Sequence, residues 1–154
     1  MRITLDIETA LYDALTDEGH SASAHRLPAS LGDILPHIHV TRTGGSNASL
    51  VVDSHNVDFD VYAEDDADAM EIASNMCAWI RSLAGSTSNP PCYVSEVTTL
   101  PYKNPDPRHP TLARATVKAL IMTRTIEAAT GQEFELSSED DVLITDRFEV
   151  LTGE

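Results

Sequence analysis

Little in this chain can neutralise a phosphate. Ten Lys and Arg residues stand against 25 Asp and Glu, a formal charge of −15 at pH 7. Affinity for nucleic acid comes chiefly from basic side chains that displace counterions, so the charge argues against a phosphate-gripping function. Two readings of the charge remain: a well-solvated acidic surface, or one that sits near DNA without sticking to it. Aromatics make up only 5% and hydrophobic residues 42%, which predicts a small, aliphatic core. No run of about 18 apolar residues exists to cross a membrane. The start, Met1-Arg2-Ile3-Thr4-Leu5-Asp6, turns acidic too soon for a signal peptide, so a cytosolic site of synthesis is expected. Cys77 and Cys92 are the only cysteines and have no CxxC spacing, which removes a zinc site and a disulfide framework; both are expected to be reduced. Phosphate-binding loops, dinucleotide glycine fingerprints and nucleophile elbows are missing as well.

What is present suits one hydrophobic core, since 154 residues are short for two. Ile7, Leu11, Ala14 and Leu15 make one apolar face, predicting a helix over residues 6–17 that Gly19 ends. Residues 20–33 read as a loop with one helical turn. A strand is expected over 37–43, where Ile38 and Val40 alternate with His37, His39 and Thr41. Gly44-Gly45-Ser46-Asn47 reads as a turn. Leu50-Val51-Val52 is too short to place. Residues 57–63 read as a half-buried strand, with Val57, Phe59, Val61 and Ala63 on one face and Asp58, Asp60 and Tyr62 on the other. The helix that follows can be capped by Asp65 or Asp66 and buries Ala69, Ile72, Ala73, Met76, Cys77, Ile80 and Leu83; Gly85 stops it.

Residues 93–126 are the most informative stretch. A β-branched run is followed by Pro101-Tyr102-Lys103-Asn104-Pro105-Asp106-Pro107-Arg108-His109-Pro110, where four prolines in ten residues forbid a helix. A long alternating segment, 112–126, comes next. Its period of two favours a strand, while three alanines and Leu120 also tolerate a helix. The pattern therefore predicts two extended arms joined by a stiff, exposed loop. Residues 127–154 hold nine acids against one base, Arg147, and read as a docked arm or a partly disordered extension. Within them only Val142-Leu143-Ile144 and Phe148-Glu149-Val150-Leu151 are apolar enough to pack. The expected architecture is a single α+β domain over residues 1–126. It has a mostly antiparallel four- to five-stranded sheet, two main helices on one face, and a long β-hairpin with the Pro-rich loop.

Few constellations suggest chemistry. His37 and His39 project to one strand face and form the candidate metal pair, with His55, Asp53 or Asp58 as further donors. Polar-face strand residues are the plainer reading, because no second His pair stands at ligand spacing. Glu64-Asp65-Asp66-Ala67-Asp68 lacks the Asp/Asn and Gly alternation of a calcium loop and reads as helix capping. Ser137-Ser138-Glu139-Asp140-Asp141 reads as a solvated acidic loop. No catalytic residue, metal site or cofactor is expected, and the protein is read as a non-enzyme.

Several pieces, taken in order, resemble a tailed-bacteriophage neck protein of the tail terminator (tail completion) family. They are the first helix, His39-Val40-Thr41-Arg42-Thr43-Gly44-Gly45, Val57-Asp58-Phe59-Asp60-Val61-Tyr62-Ala63 running into the second helix, and Leu100-Pro101-Tyr102 with Asn104-Pro105-Asp106-Pro107 before a long strand. The similarity spans about residues 3–126. An insertion between Thr16 and Asp33 and the acidic tail depart from the family pattern. The resemblance implies a homo-oligomeric ring, usually a hexamer, in the virion neck, assembled in the host cytoplasm. Such a ring docks on the tail tube protein, stops tube growth and meets a head–tail connector protein, while DNA passes through unbound and no membrane is involved. Arg42, Tyr102, Asn104, Asp106 and Arg108 are the candidate interface residues, with the Pro-rich loop as a docking finger. Asp58 and Asp60 are the candidate lumen acids. The alternatives are another head-completion or connector protein and, from other classes, a small metal-dependent enzyme using His37 and His39 or a ligand- or protein-binding module.

Overall fold

A computed structural model describes residues 1–88 and 90–127. The acidic tract Ser137 to Asp141 and the apolar runs at Val142 and Phe148 lie outside the described residues. Asp6 opens the first helix, α1 (Ile7–Asp17): its carboxylate accepts from the Thr9 amide at 3.2 Å, satisfying one of the amides left free at a helix start. Ile7, Ala10, Leu11, Ala14 and Leu15 are the face it buries. The helix ends without a basic residue in its last turn, and Gly19, at φ 91°, carries the chain away.

The chain then forms two long antiparallel pairs separated by the second helix. Strands β3 (His37–Asn47) and β4 (Val52–Ala63) make the first, α2 (Asp66–Ser82) follows, and β5 (Cys92–Lys103) and β6 (Ala113–Arg124) make the second. β4 pairs with β6 antiparallel in unbroken register from Val52–Arg124 to Ala63–Ala113. A short strand, β2 (Ala22–Ala24), lies parallel to β3, giving the order β2-β3-β4-β6-β5. Arg2–Ile3 (β1) and Ile126–Glu127 (β7) form a separate two-stranded pair. The fold is α+β, with a mostly antiparallel five-stranded sheet.

Period-two alternation decides the layering. Ile38, Val40, Val57, Phe59, Val61, Ala115, Val117, Ala119 and Ile121 are all buried and join the apolar faces of α1 and α2 in one core. Both helices therefore cover the same side of the sheet. α1 packs over β2 and β3, and α2 over β4, β5 and β6. Fully burying a side chain such as Ile, Val or Phe stabilises by about 1.5–3 kcal/mol, so these stripes supply the drive that a core with few aromatics needs. Asp65 caps α2 by accepting from the Asp68 amide at 2.8 Å, in keeping with the capping reading of the acidic run. Cys77 and Cys92 are buried free thiols.

Two expectations need correction, and one open segment is placed. Residues 20–33 are not only loop and helical turn, because β2 extends the sheet ahead of the turn at Leu31–Asp33. The segment Gly44-Gly45-Ser46-Asn47 is not a turn: all four residues belong to β3, and the reversal comes after Asn47. Register shifts between Arg42 and Gly44, and a Cβ on Gly45 would lie 2.0 Å from the Ser54 carbonyl oxygen. The glycines thus serve a bulge and a close strand approach rather than a reversal. Residues 50–52 contribute Val52 to β4.

Candidate functional site

The face of the sheet turned away from the helices is polar, and the same alternation builds it. His37 and His39 come from β3, Asp58, Asp60 and Tyr62 from β4, and Arg114, Thr116 and Lys118 from β6. Cross-strand register joins them in pairs. Lys118 Nζ donates to Asp58 at 2.9 Å, and Thr116 Oγ1 donates to Asp60 at 2.7 Å. Asn104 Nδ2 donates to Thr116 Oγ1 at 3.1 Å. The bond to Asp58 raises the Lys118 ammonium above its ordinary range.

The loop after β5 folds onto one end of this face and is pinned by Asp106. Burial pushes its carboxyl up, but the donors around it win and hold it well below the usual carboxylate range. Oδ2 accepts from the buried Tyr62 hydroxyl at 2.9 Å and lies 3.2 Å from His109 Nδ1. Oδ1 accepts from the Arg108 amide at 3.0 Å. Arg114 approaches Asp106 at 3.6 Å, donates to Tyr62 Oη at 3.2 Å and reaches the Asn104 carbonyl at 2.5 Å. Burial raises the Tyr62 phenol even though Arg114 donates to it.

Beside this hub runs a chain of four polar side chains. Ser21 Oγ lies 2.7 Å from His37 Nδ1, His37 Nε2 lies 2.8 Å from Ser23 Oγ, and Ser23 Oγ lies 2.6 Å from His39 Nδ1. His37 is only 1% exposed; burial and then the neighbouring His39 lower its pKa to about 4. Burial also lowers His39, against the opposing pull of Asp60 and Glu8. A neutral imidazole offers one donor and one acceptor, which two serine hydroxyls can match.

The donor set imagined around His37 and His39 does not converge. Both ring nitrogens of His37 face hydroxyls, and Asp58 is held by Lys118. His55 and Asp53 lie on the opposite, helix-covered face, because they share parity with Val57. There His55 Nδ1 accepts from Arg42 Nε at 3.0 Å and its Nε2 lies 2.9 Å from Thr123 Oγ1. Burial, and then the Arg42 charge, lower the His55 pKa. Among the described residues no group of three or more His, Cys, Asp or Glu side chains is arranged to hold a metal ion.

The candidate interface residues separate into two kinds. Arg108 is 77% exposed at its side chain and Arg42 is exposed, so both are accessible to a partner, although Arg42 Nε is bonded to His55 and Arg108 Nε lies 3.4 Å from Asp106. Tyr102 is half-buried on β5. Asn104 and Asp106 are spent inside the molecule, and Asp106 is only 3% exposed. The Pro-rich loop is accordingly a clamped flap with an exposed rim, not a free finger. Tyr62 was expected on this face without a role in the site, and Arg114, Ser21 and Ser23 were not expected in it. The two serines carried a legible signal, since Ser21/Ser23 and His37/His39 are alternating pairs at the same separation along the chain. No family model matches the chain, and a search of curated proteins finds no match.

Proposed function

We propose that this protein is a structural component of a tailed-bacteriophage neck, a ring-forming tail terminator that ends tube growth and joins tail to head. The supporting observation is the element order. One amphipathic helix, a long strand pair, a second helix and another long strand pair follow each other as the resembling motifs do along the sequence. Small α+β protomers of this kind can close rings through heterologous contacts. Arg42, Tyr102 and the rim of the loop at Arg108 are the contact candidates that stay accessible. Asp60 is the better lumen acid, because the charge of Asp58 is offset by Lys118. A channel wall that neutralises no phosphates lets DNA slide.

The test is to mix the purified protein with a polymerising phage tail-tube protein. Capped, short tubes with a ring at one end are the expected result in negative-stain images. Tubes that grow unchanged and carry no added density would remove the tail-terminator reading.

A further inference from the structure

The two helices do not close over the sheet completely. α1 sits on β2 and β3 and α2 on β4 to β6, and between α2 and the connections at residues 19–21 and 34–36 a cavity of about 620 Å³ opens to the surface. Ile38, Leu35, Pro36, Ile72, Met76 and Trp79 make its lining largely apolar, with His20, Ser21 and Asn75 as the polar members. A volume of this size is within the usual range for occupied pockets, about 300–1,000 Å³. A smaller cleft of about 170 Å³ shares Leu35, Pro36 and Ile72 with it and adds Glu64, Asp68 and Glu71. Among the described residues none of these three carboxylates is within ion-pair distance of a cation; the nearby pair, Lys103–Asp66 at 3.7 Å, uses a different acid. An apolar groove thus runs into an unneutralised acidic rim.

Charge decides the occupant. We infer that the groove takes a segment of another protein in which two or three apolar side chains are followed by lysine or arginine. The apolar side chains would fill the space beside Trp79 and Ile72, and the basic ones would meet Glu64, Asp68 and Glu71. The chain's own residues 128–154 are unsuited, since they bring eight acids and one base to an acidic rim. A second copy, itself at −15, brings like charge to this rim, so contacts between copies fall to basic side chains elsewhere, such as Arg42 and Arg108. This inference stands apart from the neck reading and holds or fails without it.

Trp79 is the only tryptophan, so its fluorescence reports the groove directly. The probe is a synthetic peptide of about a dozen residues with leucines at i, i+3, i+4 and i+7 and lysines between, compared with its glutamate counterpart. The full-length protein should give a saturable shift of Trp79 emission with the lysine peptide. Binding should be at least about tenfold tighter than for the glutamate peptide, a difference of 1.4 kcal/mol. The triple variant Glu64→Gln, Asp68→Asn, Glu71→Gln should erase that preference, and Ile72→Glu should abolish binding while circular dichroism stays unchanged. Equal affinity for the two peptides, or a preference that survives the triple variant, overturns the inference. So does tighter binding by a free peptide of residues 128–154, or a Trp79 shift driven by protein concentration alone, because each assigns the groove to this chain itself.

Discussion

The two ends of the central sheet treat a buried carboxylate in opposite ways. At one end, where β3 begins and β4 finishes, Asp106 gathers donors from Tyr62, Arg108, His109 and Arg114, and Ser21 and Ser23 occupy the nitrogens of His37. At the other end, where β3 turns back into β4, Asp53 is 5% exposed; Oδ1 accepts from Asn47 at 2.9 Å, and Oδ2 has no hydrogen-bond partner among the described residues. The first carboxylate is tied by several donors, whereas at the second end the side-chain bonding centres on His55, between Arg42 and Thr123, and leaves Asp53 half-matched. A buried polar group stabilises only when it is matched, so the two ends should respond very differently to the same kind of substitution.

The largest effect belongs to the Asp106 hub. Asp106→Ala leaves the buried Tyr62 hydroxyl without its acceptor and the largely buried Arg114 without its counter-charge, and should cost about 3–5 kcal/mol in urea unfolding. A loss below about 1 kcal/mol would show that the loop is not clamped there. The next effect is a pH dependence at the same end. His37 has a folded pKa of about 4 against 6.5 in the unfolded chain, so the unfolded state binds more protons between those values. Its contribution is complete above pH 6.5 and is lost as pH falls towards 4, by up to about 3 kcal/mol. His39 and His55, also lowered, act in the same direction. Asp106 is depressed from 3.8, so its contribution disappears only at still lower pH. Stability measured from pH 7 to 4 should fall, and His37→Gln should flatten the slope whatever it does to the absolute value.

Much of this contrast was written in the sequence, and its missing parts share one physical cause. The α2 stripe from Ala69 to Ile80 and the β4 alternation from Val57 to Ala63 are local periodicities, and each predicts its own element. Three-residue β2 has no such signal, because Ala22-Ser23-Ala24 becomes a strand only by pairing with Ile38, His39 and Val40. Gly44-Gly45 misled for a related reason. A glycine pair looks like a turn locally, whereas Gly45 is demanded by Ser54 across the strand pair. The polar site was half legible. Asp58, Asp60, His37 and His39 followed from parity, but the Tyr62–Asp106 contact joins residues 44 apart and depends on how the loop folds back.

At the opposite end the expected effects are smaller. Gly45→Ala places a methyl group against the Ser54 carbonyl at a backbone φ of 148°, and should cost about 1–3 kcal/mol. Hydrogen exchange should locate the loosening in the β3–β4 tip and leave the amides around Tyr62 protected. Equal loosening at both ends would mean that the sheet opens as one unit and that the two ends do not differ in the way argued.

The smallest effect sharpens the comparison most. Asp53→Asn keeps the Oδ1 acceptor for Asn47 and replaces an unpartnered charged oxygen with a neutral amide. The lost desolvation cost of the charge offsets the new unpaired donor, so stability should change by no more than about 1 kcal/mol. Asp106→Asn, the same chemical change at the other end, removes a charge that several donors share and should cost several times as much. Unfolding the two variants side by side isolates matching from burial, because both carboxylates are almost fully buried. A loss of about 3 kcal/mol for Asp53→Asn would show that its charge is matched after all, and the two ends would then follow a single rule.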